Sequence, residues 1–152
     1  MMTETSGLNL ERAKALLSEK ELTCAIVGDG FVFEEKSRGV RPLMDLLERG
    51  DCPKGASAAD KVVGKAAAFL YVLLGVKDVY ALVVSDLAAE VFGRFGIGLT
   101  YEKRVPMIRN RTDTGFCPME SAVLDIDDPQ KAPGAIRKKL AELAELAELA
   151  GK

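Results

Sequence analysis

The stretch that decides the fold is residues 57–84, which read SAADKVVGKAAAFLYVLLGVKDVYALVV. From Val62 to Leu74 almost every side chain is apolar or alanine, which is typical of a helix buried around most of its circumference. The apolar run at 79–84 that follows is short and rich in β-branched residues, which predicts a central strand. A buried helix that leads into a buried strand indicates an α/β domain in layers.

The polar residues of this predicted helix gather towards its N-terminal end. Ser57 or Asp60 is expected to cap the helix, and Gly75 is expected to close it. Lys61 and Lys65 are four residues apart, so a helix that contains both projects them from one side. The pattern therefore predicts a buried helix with a charged N-terminal end at one edge of the sheet.

The segments on either side extend this pattern into a mixed sheet. Gly28-Asp29-Gly30 has the composition of a tight hairpin turn, which makes the two strands around it antiparallel. The remaining predicted elements are a helix at 8–20, strands at 22–27 and 31–36, helices at 40–47 and 85–95, a strand at 99–105, a short helix at 117–124 and a last helix from 135. We therefore expect a three-layer α/β/α sandwich whose mixed sheet has at least four strands.

Length and charge narrow the class of protein further. The 152 residues suffice for one domain, so we expect a single domain over 1–152 in which 141–152 form a low-complexity helical tail. The 21 Lys and Arg nearly balance the 23 Asp and Glu, which disfavours nucleic acid as a partner. The start of the sequence is polar, and no apolar run approaches the roughly 18 residues that span a bilayer. Three widely spaced cysteines do not form a secreted disulfide framework. A cytoplasmic protein without membrane contact is the expectation.

The C-terminal Ala-Glu-Leu triplets repeat every three residues, whereas an α-helix repeats every 3.6. A row of leucines with that spacing winds around the helix instead of staying on one face. Ile136, Leu140, Leu143 and Ala147 still share a face and are expected to dock on the domain. Leu146 and Leu149 point elsewhere, so the end of the helix is expected to fray or to contact another subunit in a homo-oligomer.

Three segments carry a resemblance to a known family. They are RGVRPLMDLL at 38–47, ADKVVGKAAAFL at 59–70 and NRTDTGFCPMESAVLDIDDP at 110–129. The sequence resembles a small prokaryotic family of unknown function whose fold is similar to that of cytidine deaminases. The resemblance implies a cytidine-deaminase-like arrangement of the predicted sandwich.

The zinc motif of the deaminases is missing from this chain. Deaminases hold zinc with a His-x-Glu at the start of the core helix and a Pro-Cys-x-x-Cys at the start of the next helix. This chain has no histidine and no Cys-x-x-Cys. By the resemblance, the two places are taken by Asp60, Lys61, Gly64 and Lys65, and by Ser85 and Asp86. Zinc-dependent deamination is therefore disfavoured, and neither a metal site nor any other cofactor is predicted.

The leading functional hypothesis is the binding of a small anionic ligand, such as a nucleotide or a related metabolite. Two lysines beside a helix N-terminus repel its dipole, so an anion is expected to compensate them. That anion is Asp60, Asp86, or a phosphate or carboxylate of a ligand. The alternative is that both lysines are solvated or form salt bridges within the protein. The residues expected to line the site are Lys61, Lys65, Ser85, Asp86, Asn110, Cys117 and Glu120. Arg38, Arg41, Arg104, Arg109 and Arg111 either add to an anion site or belong to solvated loops.

Two other classes of function stay open. A metal-independent enzyme would use Cys117 as nucleophile, because Pro118 suits the first position of a helix and places the thiol at its N-terminus. Lys65, among small residues, is the candidate base, and Glu120 is a candidate capping-box partner of the short helix. An ordinary buried thiol is the alternative for Cys117, as it is for Cys24. The third class is a protein–protein interaction module that associates through the hairpin edge or the leucine-rich tail.

Overall fold

The computed structural model describes residues 2–109 and 117–150, which form a sheet with helices on both faces. The helices are α1 Met2–Glu19, α2 Arg41–Arg49, α3 Lys65–Leu74, α4 Asp86–Arg94, α5 Pro118–Ala122 and α6 Ala132–Ala150. The strands are β1 Cys24–Gly28, β2 Phe31–Glu35, β3 Ser57–Val63, β4 Asp78–Ser85 and β5 Gly98–Val105. A short 3₁₀-helix, Pro129–Lys131, leads directly into α6.

The five strands form one mixed sheet in the order β2-β1-β3-β4-β5. β1 is antiparallel to both β2 and β3, whereas β3, β4 and β5 run parallel to one another. Gly28 pairs with Phe31 across a two-residue turn, in which Gly30 has φ +65°. Glycine adopts that conformation without the steric cost that a side chain brings, which is why Asp-Gly predicted the turn. The mixed sheet and its hairpin are confirmed.

Each face of the sheet carries its own apolar cluster because successive strand residues point in opposite directions. On one face, α1 covers Ala25, Val27, Ala59 and Tyr80. On the other face, Ile26 and Ala58 pack with α2, α3 and α4 in the larger cluster, which Ile136 of α6 joins. Burial on both faces leaves the central strands without the polar–apolar alternation of a half-exposed strand.

That loss of alternation explains why the prediction for residues 57–63 was wrong. They form β3, which pairs with β1 and β4, and not the start of a helix. Periodicity alone cannot separate a short buried strand from a buried helix when most residues are small or apolar. The helix begins after Gly64, so Ser57 and Asp60 do not cap it, although Gly75 closes it in the left-handed conformation as predicted.

The correction separates the two lysines. Lys61 is exposed on β3, whereas Lys65 is the first residue of α3 and is buried. They do not share a helical face, so the predicted charged pair at one helix end is not formed.

The last helix begins at Ala132, three residues earlier than predicted. Ile136 is buried, and Leu140 and Leu143 pack against the larger cluster, but Ala147 is exposed. Docking therefore ends near Leu143, and Leu146 and Leu149 are 61% and 67% exposed. None of the described helices combines the length and apolarity that crossing a membrane requires.

Candidate functional site

A cleft of about 1100 Å³ opens where β3 ends and α3 begins. Its walls come from residues 38–43, 60–62, 108–109 and 117–120, with Leu140 and Leu143 of α6 closing one side. The cleft thus brings together segments that are far apart in the sequence, including parts of all three segments that carry the family resemblance.

Glu120 of α5 reaches the N-terminus of α3. Its Oε1 accepts a hydrogen bond from the backbone N–H of Lys65 at 2.5 Å, and the backbone N–H of Ala66 also donates to the carboxyl group. The side chain is only 1% exposed, and this burial raises the pKa of the carboxyl above its ordinary value despite the two hydrogen bonds. The carboxylate therefore fills the anion site that the first turn of a helix provides.

This contact corrects two expectations. Glu120 caps α3, so it is not the capping-box partner of its own short helix, and Cys117 makes no side-chain cap hydrogen bond there. The compensating anion at α3 is neither Asp60, Asp86 nor a ligand but Glu120 itself.

Gly64 allows this close approach. A Cβ at this position would collide with Glu120 Oε1 and would lie 2.8 Å from its Cδ. The backbone of Gly64 is extended, with φ −99°, so the requirement is for space and not for glycine's conformational freedom.

Lys65 anchors the same short helix through its side chain. Its Nζ donates to the carbonyl oxygen of Leu124 at 3.0 Å and lies 5.6 Å from the centre of the Phe69 ring. One residue of α3 therefore binds the α5 segment at two points, by its backbone to Glu120 and by its ammonium group to Leu124.

A second buried carboxyl, that of Asp60, belongs to a three-residue network beside the cleft. The Tyr71 hydroxyl donates to Asp60 Oδ2 at 2.6 Å, and the N–H of Val62 donates to Oδ1 at 3.2 Å. Cys24 Sγ lies 3.1 Å from the Tyr71 hydroxyl oxygen, so the thiol donates to it. Burial raises the pKa of Asp60 to about 6, and it also raises the pKa values of Tyr71 and Cys24.

This network was not predicted. Cys24 is buried, as the sequence analysis expects, and Tyr71 lies in the middle of an apolar run that gives no sign of its hydrogen bonds. The available signal was Asp60, an acidic residue at the end of a run of four buried strand residues that begins at Ser57.

Cationic side chains surround the mouth of the cleft. Arg38, Arg41 and Lys61 are exposed there, and within the described ranges their side chains have no hydrogen-bond or ion-pair partner. Arg109 also lines the cleft.

The carboxylate of Glu35 accepts hydrogen bonds from the backbone and hydroxyl of Ser37, which hold its pKa below the ordinary value.

The structure brings together part of the predicted site. Lys61, Cys117 and Glu120 line the cleft, whereas Lys65, Ser85 and Asp86 do not. Ser85 caps α4 by accepting the N–H of Ala88, as predicted, and Asp86 pairs with Arg104 at 2.6 Å. Asn110 and Arg111 lie outside the described residues.

No group of three or more His, Cys, Asp or Glu side chains within 2–109 and 117–150 is placed to hold a metal ion.

Comparison with known proteins identifies the class. The family model for the domain of unknown function DUF1893 matches residues 12–140, and the chain belongs to this family. It is similar to the crystal structure of a DUF1893 family protein (TM1506) from Thermotoga maritima at 2.70 Å resolution. The TM-score is 0.79 at 28% sequence identity, covering 87% of this chain and 90% of that one. No curated protein matches significantly. The predicted membership of a family of unknown function is confirmed.

Proposed function

We propose that the protein binds a small anionic ligand, a nucleotide or a related metabolite, in this cleft and without zinc. The observation that carries the proposal is the group of unpaired cations, Arg38, Arg41 and Lys61, at the mouth of a cleft of about 1100 Å³. Guanidinium groups bind phosphates and carboxylates through paired N–H donors. Because Glu120 already occupies the N-terminus of α3, the anionic group of the ligand binds at this rim and not at the helix end.

The nucleotide class in this proposal follows from the resemblance to cytidine deaminases. We propose that the sheet is arranged as in that fold, and the family resemblance supports this assignment. The place of the cleft is further support, since open α/β sheets bind ligands at the carboxyl ends of parallel strands. The absence of histidine and of Cys-x-x-Cys from the sequence separates the proposed function from zinc-dependent deamination.

Replacing both Arg38 and Arg41 with alanine is expected to weaken nucleotide monophosphate binding at least tenfold. Each hydrogen bond to a charged group contributes about 1.5–3 kcal/mol, and a loss of about 1.4 kcal/mol weakens binding tenfold. Isothermal titration with AMP, IMP, CMP and UMP at low ionic strength measures the effect. Arg12→Ala is the matched control, since it removes an exposed arginine from α1 on the other face of the sheet. Equal losses in the two variants, or no binding by the unmodified protein, would contradict the proposal.

The enzyme alternative keeps one specific observation in its favour. Cys117 is half-buried in the wall of the cleft, so a bound molecule can reach its thiol. Lys65 fits the role of base less well, because its ammonium group is buried and donates to Leu124. In this alternative Cys117 is the nucleophile of a metal-independent reaction.

Cys117 is expected to react with iodoacetamide at neutral pH at least tenfold faster than Cys24 or Cys52. Burial raises the pKa of both other thiols and leaves less of the reactive thiolate. Peptide mass spectrometry over a time course gives the three rates, and Cys117→Ser is the control. Equal, slow rates for all three cysteines would remove the nucleophile and leave the binding proposal untouched.

A further inference from the structure

We infer that Glu120 Oε2 is the atom that recognises the second end of the ligand, and that this end carries an N–H donor such as an exocyclic amino group. The inference rests on the proposed function, which places an anionic group of the same ligand at the arginines of the rim. It adds a chemical requirement for the opposite end of the molecule.

The two oxygens of Glu120 are used differently. Oε1 accepts the backbone N–H of Lys65 at the start of α3, whereas Oε2 is buried and has no hydrogen-bond partner in the described part of the chain. A buried carboxylate oxygen without a donor is costly, so such an atom in a cleft wall points to a donor supplied from outside. Glu120 is one of the residues that line the cleft.

The surroundings of Glu120 determine that its Oε2 accepts a hydrogen bond from the ligand. Oε1 is held by the helix, and a Cβ on residue 64 would exclude the carboxylate, so Glu120 has a defined position from which Oε2 acts. The backbone donors at the start of α3 and the positive charge of Lys65 favour the ionised form of Glu120, and an ionised carboxylate only accepts hydrogen bonds. An amino group satisfies Oε2, whereas a carbonyl oxygen in the same place leaves two acceptors facing each other without a proton between them.

Nucleotides that differ by one amino or oxo group test the inference directly. AMP and IMP form one such pair, and CMP and UMP form another with a smaller base. We expect the unmodified protein to bind the amino member of at least one pair about tenfold more tightly than its oxo partner, because a buried polar group left unpaired is penalised. Isothermal titration at constant pH and salt gives the four affinities.

Glu120→Gln reverses the polarity of the contact atom while preserving the cap. The amide oxygen takes the place of Oε1 on the helix N–H groups, and the amide nitrogen, a donor, takes the place of Oε2. The preference is expected to shift towards the oxo member of the same pair. Asp78→Asn is the matched control, because Asp78 Oδ1 is also buried without a partner but lies outside the cleft. It should leave the preference unchanged.

The outcomes separate this inference from the proposed function. Equal binding of amino and oxo members by the unmodified protein overturns the inference, and this result does not depend on a variant folding. The same preference in folded Glu120→Gln, verified by circular dichroism, overturns it as well. If all four nucleotides bind, and only the substitutions at Arg38 and Arg41 change their affinities, the proposed function is supported and this inference is not. Failure of all four to bind overturns both.

Discussion

Gly64→Ala should destabilise the protein by about 3 kcal/mol, a large effect for the addition of one methyl group. The new Cβ would overlap Glu120 Oε1, so the carboxylate must leave the N-terminus of α3. Overpacking a buried site costs about 1–3 kcal/mol, and losing hydrogen bonds to a charged group costs about 1.5–3 kcal/mol. The backbone adds no strain, since alanine adopts the extended conformation of Gly64 freely. Urea denaturation at neutral pH measures the change.

Gly93→Ala is the matched control for this substitution. Gly93 lies in α4, where an added Cβ meets no atom within 4 Å, and alanine is the better helix former by about 1 kcal/mol. The control should therefore stabilise the protein. A double-mutant cycle with Glu120→Ala identifies the cause, because the cost of Gly64→Ala should fall sharply once the carboxylate is gone. An undiminished cost in that background would rule out the Glu120 contact as the reason.

Asp60→Asn should remove a large pH dependence of stability. The pKa of Asp60 is about 6 in the folded protein against an ordinary value of 3.8, so between these pH values the folded state holds a proton that the unfolded chain has released. Stability from this group is therefore complete below pH 3.8 and is lost as the pH rises through about 6. The loss amounts to about 3 kcal/mol, and asparagine, which does not ionise, avoids it.

The asparagine can preserve the network. Its oxygen can accept from Val62, and its amide can donate to the Tyr71 hydroxyl, which then turns its proton towards Cys24. Relative to the unmodified protein, the free energy of unfolding of the variant should rise by about 3 kcal/mol between pH 3.5 and pH 7.5. Asp45→Asn, at an exposed carboxyl of the same cleft, is the control. A constant difference between variant and unmodified protein across this range would show that Asp60 is not the titrating group.

Local chemistry predicted the elements whose signals are short in range. The Asp29-Gly30 turn, the Ser85 cap of α4, Pro118 at the start of α5 and the left-handed Gly75 are all found where the residues indicate. Each depends on conformational preferences of one or two residues, which neighbouring elements do not override. The prediction for residues 57–63 was wrong for the opposite reason. Whether this segment forms a strand or a helix depends on its pairing with β1 and β4, which are not local in sequence.

The sequence named some residues of the candidate site but not the contacts between them. Of the residues expected to line the site, the structure places Lys61, Cys117 and Glu120 in one cleft. Their contacts were not predicted, because Glu120 and Lys65 are separated by 55 residues and their pairing has no local pattern. Nor does the sequence distinguish Arg38 and Arg41, which are unpaired at the cleft, from Arg104, which is paired with Asp86.

The sequence by itself determined the α/β class, the hairpin, the family and the lack of a histidine-based zinc motif, because these follow from composition and from residues close along the chain. Only the tertiary structure decided that Glu120, and not a ligand, occupies the start of α3 and that Asp60 is buried with Tyr71 and Cys24. The physical reason is that burial and hydrogen-bond partnership arise when distant segments pack, and these set the charge and availability of each polar group.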